Sequence, residues 1–128
     1  NKDIDRKKHL KQYNRIDIAL DPFPYPGVTT SFESVMMGVP VLTMKGFNFN
    51  SRCGESINSN LEMQEFIAAN SEDYYLKAIE LQKNPTKLEN LRSSLREKVL
   101  GSPLFDVDSF SKSFCNTLKI VWKNHIDA

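Results

Sequence analysis

A chain of 128 residues, 40% hydrophobic and 26% charged with a formal net charge of +1, has the apolar content for one soluble globular core. It lacks the basic excess of a nucleic-acid binder. No apolar run approaches the roughly 20 residues of a membrane helix and no signal peptide is visible, so a cytoplasmic location without a membrane partner is expected.

Cys53 and Cys115 lie far apart, outside any C-x-x-C spacing, and His9 and His125 are the only histidines. Free thiols are therefore expected, with no histidine-rich metal site. In chain order, Arg6, Lys7, Lys8 and Lys11 form a short, acid-flanked basic cluster, which reads as a solvated helix face. Ile16, Ile18, Ala19 and Leu20 follow as a strand that stops at Asp21, because Pro22, Pro24, Pro26 and Gly27 continue neither a ladder nor a helix. Thr29, Thr30 and Ser31 offer N-cap hydroxyls to a helix carrying Phe32, Val35 and Met36, with Gly38 as its C′ residue. A second strand, Val39 to Met44, comes next. Strand, turn, helix and strand within about thirty residues make one βαβ unit.

A parallel crossover places the first turn of its helix at the carboxyl end of the sheet. Free N–H groups and the positive end of the helix dipole there suit a phosphate or pyrophosphate. Thr29 and Thr30 add hydroxyl donors, and Glu33, one turn on, can accept hydrogen bonds from ribose hydroxyls. The same residues also describe an ordinary cap and turn, and neither G-x-G-x-x-G nor G-x-x-x-x-G-K-[ST] is present. Spacing alone leaves both readings open.

Beyond residue 50 the pattern is mostly helical. Lys45 to Ser51 is irregular, with Phe47 and Phe49 placed to form a lip over the site. Short helices are expected at Arg52 to Ile57 and Leu61 to Ala69, leaving two strands in all. Ser71, followed by Glu72 and Asp73, reads as a cap before Tyr74, Ala78 and Leu81. Asn84-Pro85 opens a helix with Leu88, Leu91, Leu95 and Val99 at helical spacing, closed by Gly101-Ser102-Pro103. The last helix, Val107 to His125, aligns Phe110, Phe114, Leu118, Val121 and Trp122 in a stripe expected to be core, with Trp122 packing rather than stacking on a ligand.

Four segments in order carry a family resemblance: HLKQYNRIDIALDPFPYPGVTTSFESVMMGVPVLTM, SRCGESI, LEMQEFIAANSEDY and SPLFD. They resemble the C-terminal part of the catalytic region of the O-GlcNAc transferase and SPINDLY glycosyltransferases, family 41. The resemblance implies a partial Rossmann-like α/β fold, the C-terminal lobe of a GT-B architecture, with few parallel strands and a helix-rich C-terminal part. It implies donor binding, commonly of UDP-GlcNAc and in SPINDLY-type relatives of GDP-fucose, for transfer to Ser or Thr of proteins.

Carried over by position, Thr29 and Thr30 fall on the diphosphate-binding threonines that stabilise the leaving group. Glu33 falls on the ribose contact, His9 on the nucleoside pocket and Arg6 on a basic residue nearby. Gly27 and Val28 complete the turn. Val28 stands where animal enzymes have histidine, leaving only backbone for phosphate, and Pro26 replaces a common Asn.

No obligatory metal is implied, since the helix dipole and an upstream cation can carry the charge. That cation, the other lobe and the repeats that guide acceptor choice lie upstream in the family, and no general base is visible in this sequence. Residues 1–128 are therefore expected to be a single-domain fragment, inactive alone and prone to self-association through any unpaired part of the aromatic stripe. A phosphate-binding regulatory module and a helical interaction module remain the alternatives.

Overall fold

The computed structural model describes residues 5–127. A six-residue helix α1 (Arg6–Lys11), capped by the Asp5 carboxylate on the Lys7 N–H, leads through a 3-10 turn into strand β1 (Ala19–Leu20). Helix α2 (Thr29–Met36) crosses to strand β2 (Val41–Met44), and helix α3 (Cys53–Asn60) crosses to strand β3 (Ile67–Ala68). The three strands are parallel in the order β1-β2-β3, with Ala19 opposite Val41 and Thr43 opposite Ile67. Val41, Leu42 and Thr43 are all buried, as a parallel strand covered on both faces requires.

Helices α4 (Ser71–Gln82) and α5 (Pro85–Leu100) close the layer. Leu81, Leu88, Leu95 and Val99 join Val35, Leu42, Ile57, Leu61, Met63 and Phe66 in one core. Asn84 caps α5 by accepting the Lys87 N–H, with Pro85 in the first turn. Gly38, at φ +79°, ends α2 in the left-handed region. The fold is thus the expected partial Rossmann-like α/β layer with few parallel strands and a helix-rich C-terminal part.

Four local expectations are corrected. The first strand is shorter than Ile16–Leu20, because the Ile16 N–H turns back to the Tyr13 carbonyl and the Ile16 carbonyl accepts from Arg92. Leu61 to Ala69 is not a helix. Glu62 sits at φ 52°, the Met63 N–H returns to Asn58, and a 3-10 turn feeds β3, so there are three strands rather than two. Ahead of α4, Asn70 rather than Ser71 is the cap, accepting the Asp73 N–H at 2.9 Å.

The fourth correction concerns the last helix, α6 (Val107–Ile126), which is capped by Asp106 and buries none of its residues. Phe110, Phe114, Leu118, Val121 and Trp122 are all more than half exposed. The stripe is amphipathic as read but is not core within this chain, because among the described residues nothing packs along that face. Phe110 and Phe114 stack on each other, with centroids 5.8 Å apart.

Candidate functional site

The site is built on the first two turns of α2. Its N-cap residue is Val28, whose side chain accepts nothing, so Thr29, Thr30 and Ser31 form the first turn itself instead of capping it. Among the described residues no acceptor takes their three N–H groups. Thr29 and Thr30 are exposed beside those donors. A side chain at Gly27 would collide with the Thr30 hydroxyl, so the turn needs glycine to approach the helix this closely. Ser31 is buried and donates to the Gly27 carbonyl at 3.0 Å.

Glu33, one turn further, gathers the residues from α1. Its carboxylate pairs with the Arg6 guanidinium at 3.0 Å and lies 3.3 Å from His9 Nε2. His9 meets the buried Tyr13 ring edge-on, with centroids 5.8 Å apart, and burial followed by the Glu33 charge pushes the Tyr13 hydroxyl above its ordinary pKa. Every residue expected at the site therefore borders the start of α2. Arg6, His9 and Glu33 touch directly, while Gly27, Val28, Thr29 and Thr30 are contiguous. A carboxylate offers about four acceptor positions, which leaves Glu33 capacity beyond its two partners.

A cleft of about 530 Å³ adjoins the turn on the side of Val28 and Phe32, walled by Phe47, Phe49, Arg52 and Leu104. Phe47 and Phe49 line this cleft, and both are more than 80% exposed. Arg52 and Lys45 converge on Glu55, at 2.7 and 3.4 Å. The Arg52 hydrogen bond, outweighing burial, holds the Glu55 carboxyl below its usual range. Of the two Asp-x-Asp pairs in the sequence, Asp106-Val107-Asp108 caps α6, and the other, Asp3-Ile4-Asp5, begins outside the described residues. Among the described residues no three His, Cys, Asp or Glu side chains group as metal ligands, and both cysteines are free.

The family model for glycosyl transferase family 41 matches residues 3–114. The chain belongs to glycosyltransferase family 41. Its similarity to individual members agrees with this. It is 39% identical over 119 residues to a probable UDP-N-acetylglucosamine–peptide N-acetylglucosaminyltransferase SPINDLY of Petunia hybrida, covering 93% of this chain. It is 35% identical over 117 residues, 91% of this chain, to the Arabidopsis thaliana protein of the same description. The structure matches a mutant O-GlcNAc transferase of Thermobaculum terrenum with a TM-score of 0.85 and 33% identity over 94% of this chain. The chain spans 13% of the length of each plant relative and 23% of the solved chain.

Sequence reasoning missed two features around this candidate site. The Arg52–Glu55–Lys45 group had no periodic signal, because its members come from a loop and the start of α3. Asp21 read only as a strand end, although the structure places its carboxylate behind the Gly27 turn.

Proposed function

We propose that this chain is the donor-binding part of a protein O-linked glycosyltransferase, with residues 1–128 forming a single-domain piece of the C-terminal lobe and UDP-GlcNAc or a close relative as donor. The observation that carries this reading is the uncapped start of α2, where three free N–H groups and two threonine hydroxyls adjoin a carboxylate held by Arg6 and His9. N–H groups at a helix N-terminus favour a diphosphate, and the acidic residue one turn away favours the ribose hydroxyls of a nucleotide over a bare phosphate. Arg6, His9, Gly27, Val28, Thr29, Thr30 and Glu33 are the proposed donor contacts.

In the reaction, an acceptor hydroxyl oxygen bonds to the anomeric carbon as the bond from that carbon to the diphosphate oxygen breaks, through an oxocarbenium-like transition state. The acceptor proton passes to a base outside this segment. Negative charge grows on the departing diphosphate, and donors already aimed at it stabilise that charge without reorganising. The Thr29 and Thr30 hydroxyls and their N–H groups take this role, and the proposal needs no obligatory metal.

The isolated chain is expected to be inactive in transfer, since proximity and leaving-group stabilisation need the rest of the enzyme. The protein acceptor is expected to be held by upstream regions, and the α6 stripe to drive self-association of the isolated piece. A cytoplasmic setting fits a donor of this kind, and no helix among the described residues is long and apolar enough to cross a membrane. Calorimetric titration with UDP, GDP and inorganic phosphate tests the proposal. Saturable nucleotide binding that is lost in Thr30→Ala supports it. Phosphate-only binding favours a regulatory module, and no binding by the full-length protein favours a helical interaction module.

A further inference from the structure

Asp21 ends β1 at 7% exposure, with both carboxylate oxygens engaged inside the protein. Oδ1 accepts the Gly27 N–H at 2.7 Å and Oδ2 accepts the Thr43 hydroxyl, itself buried, at 2.8 Å. The Asp21 backbone is fixed as well, its N–H donating to the Leu42 carbonyl at 2.9 Å and its carbonyl accepting from the Tyr74 hydroxyl at 3.0 Å. Helix α3 closes over the pair where Gly54 has no side chain. A Cβ there would lie 2.6 Å from Asp21 Oδ2 and would collide with the Thr43 hydroxyl. Strand β2 and helix α3 thus meet at one carboxylate whose other oxygen holds the turn, while helix α4 holds the Asp21 backbone carbonyl.

Core packing does not account for this arrangement, because a buried carboxylate costs more to desolvate than an apolar side chain of similar size. Two acceptors on one short side chain do account for it. Asparagine offers a single acceptor oxygen, and glutamate is longer by one methylene. Gly27 is then gripped on both sides, its N–H by Asp21 and its carbonyl by Ser31.

We propose that Asp21, braced by Thr43, is the positioning residue of the donor site, fixing the Gly27 peptide and with it the direction in which the first-turn donors of α2 point. This rests on the donor-site reading above. The carboxylate reaches the ligand only through the turn, so its loss leaves every proposed ligand contact chemically present but misaimed. Misaimed donors cost most in the transition state, where alignment to growing charge matters most.

The test uses the full-length protein that carries this chain, with UDP calorimetry and steady-state transfer from UDP-GlcNAc to an acceptor peptide. Asp21→Asn should lower kcat and UDP affinity by about tenfold each while leaving the acceptor KM unchanged. Thr43→Val should act in the same direction by about threefold, with Thr43→Ser restoring both, and Gly27 amide exchange should quicken in the two damaged variants. If Asp21→Asn does not fold, the Thr43 pair decides. Wild-type kcat and UDP affinity in Asp21→Asn and Thr43→Val, measured where both are folded, would reduce Asp21 to a structural tie and overturn the proposal. Equal UDP binding by wild type and Thr30→Ala would sink the donor-site reading instead, whereas loss at Thr30 with none at Asp21 or Thr43 sinks only the positioning role.

Discussion

The turn before α2 and the helix α6 both present a patterned surface, polar donors at the turn and an apolar stripe on α6, yet the chain treats them in opposite ways. At the turn, Asp21, Gly27, Ser31 and Thr43 join polar groups from β1, β2 and α2 through short buried or half-buried hydrogen bonds. Helix α6 is longer, at 20 residues, and more strongly patterned, yet none of its residues is buried. The difference teaches that patterning specifies a surface to be covered, while only the surrounding elements determine whether this chain covers it.

The largest effect that could break the comparison lies in stability. Phe66→Ala, at a fully buried site, should cost about 3 to 5 kcal/mol, whereas Phe114→Ala on α6 should stay within about 0.5 kcal/mol. Urea unfolding of the 128-residue chain, at a concentration low enough to keep it monomeric, measures both, and a large loss at Phe114 there would show that the α6 face packs against its own chain. Next, Thr30→Ala in the full-length enzyme should remove about 3 kcal/mol of transition-state stabilisation, roughly a hundredfold in kcat. Because the N-cap residue is Val28, the change in melting temperature should be small. A drop in melting temperature with wild-type kcat would make Thr30 a helix residue only.

A smaller effect sharpens the picture of the ligand. Glu33→Ala should weaken UDP binding by about tenfold and leave pyrophosphate binding unchanged or slightly tighter. Equal losses for the two ligands, by calorimetry, would make Glu33 a tether for Arg6 and His9 rather than a ribose contact.

The smallest expected effect concerns two carboxylates near the turn whose pKa values shift in opposite directions. Burial is the main cause of the raised Asp21 pKa, outweighing its bonds to Gly27 and Thr43. Its ionisation therefore makes the fold less stable as pH rises from the unfolded value through the folded one. The Glu55 pKa is lowered, chiefly by the Arg52 hydrogen bond. Glu55 thus adds stability that is fully present above its unfolded value and lost as pH falls through the folded one. Glu55→Gln should flatten the acid side of a plot of urea midpoint against pH, and an unchanged slope there would show that the ion pair is absent in solution.

Where local chemistry decides the structure, the sequence was readable. Asn84-Pro85 caps α5 because an Asx side chain and a fixed φ each favour a helix start, and Gly38 ends α2 because that position needs a positive φ. Thr29, Thr30 and Glu33 were grouped from the βαβ pattern, whereas Arg6 and His9 joined them only through the family resemblance, since residues from α1 and α2 share no local signal. Strand β3 was hidden because a two-residue strand has no period to detect, and its partner Thr43 is far away in sequence. The stripe on α6 was read correctly as apolar but wrongly as core, since periodicity records a face and not its partner. The role of Asp21 depends on bonds to Gly27, Thr43 and Tyr74, the last 53 residues away in sequence, so no motif could express it.

The Arg92 guanidinium in α5 donates to the Ile16 and Tyr13 carbonyls, both at 2.7 Å, across 76 and 79 residues of chain. Its consequence is one of timing. As the polypeptide leaves the ribosome, the segment before β1 must wait for some eighty further residues before its carbonyls find their donor, and closing so long a loop is slow compared with forming the helices between. The lead into the site therefore joins late, after α5 has taken its place. His9, which reaches Glu33 from helix α1, arrives with it, so the α1 side of the candidate site joins only after α5.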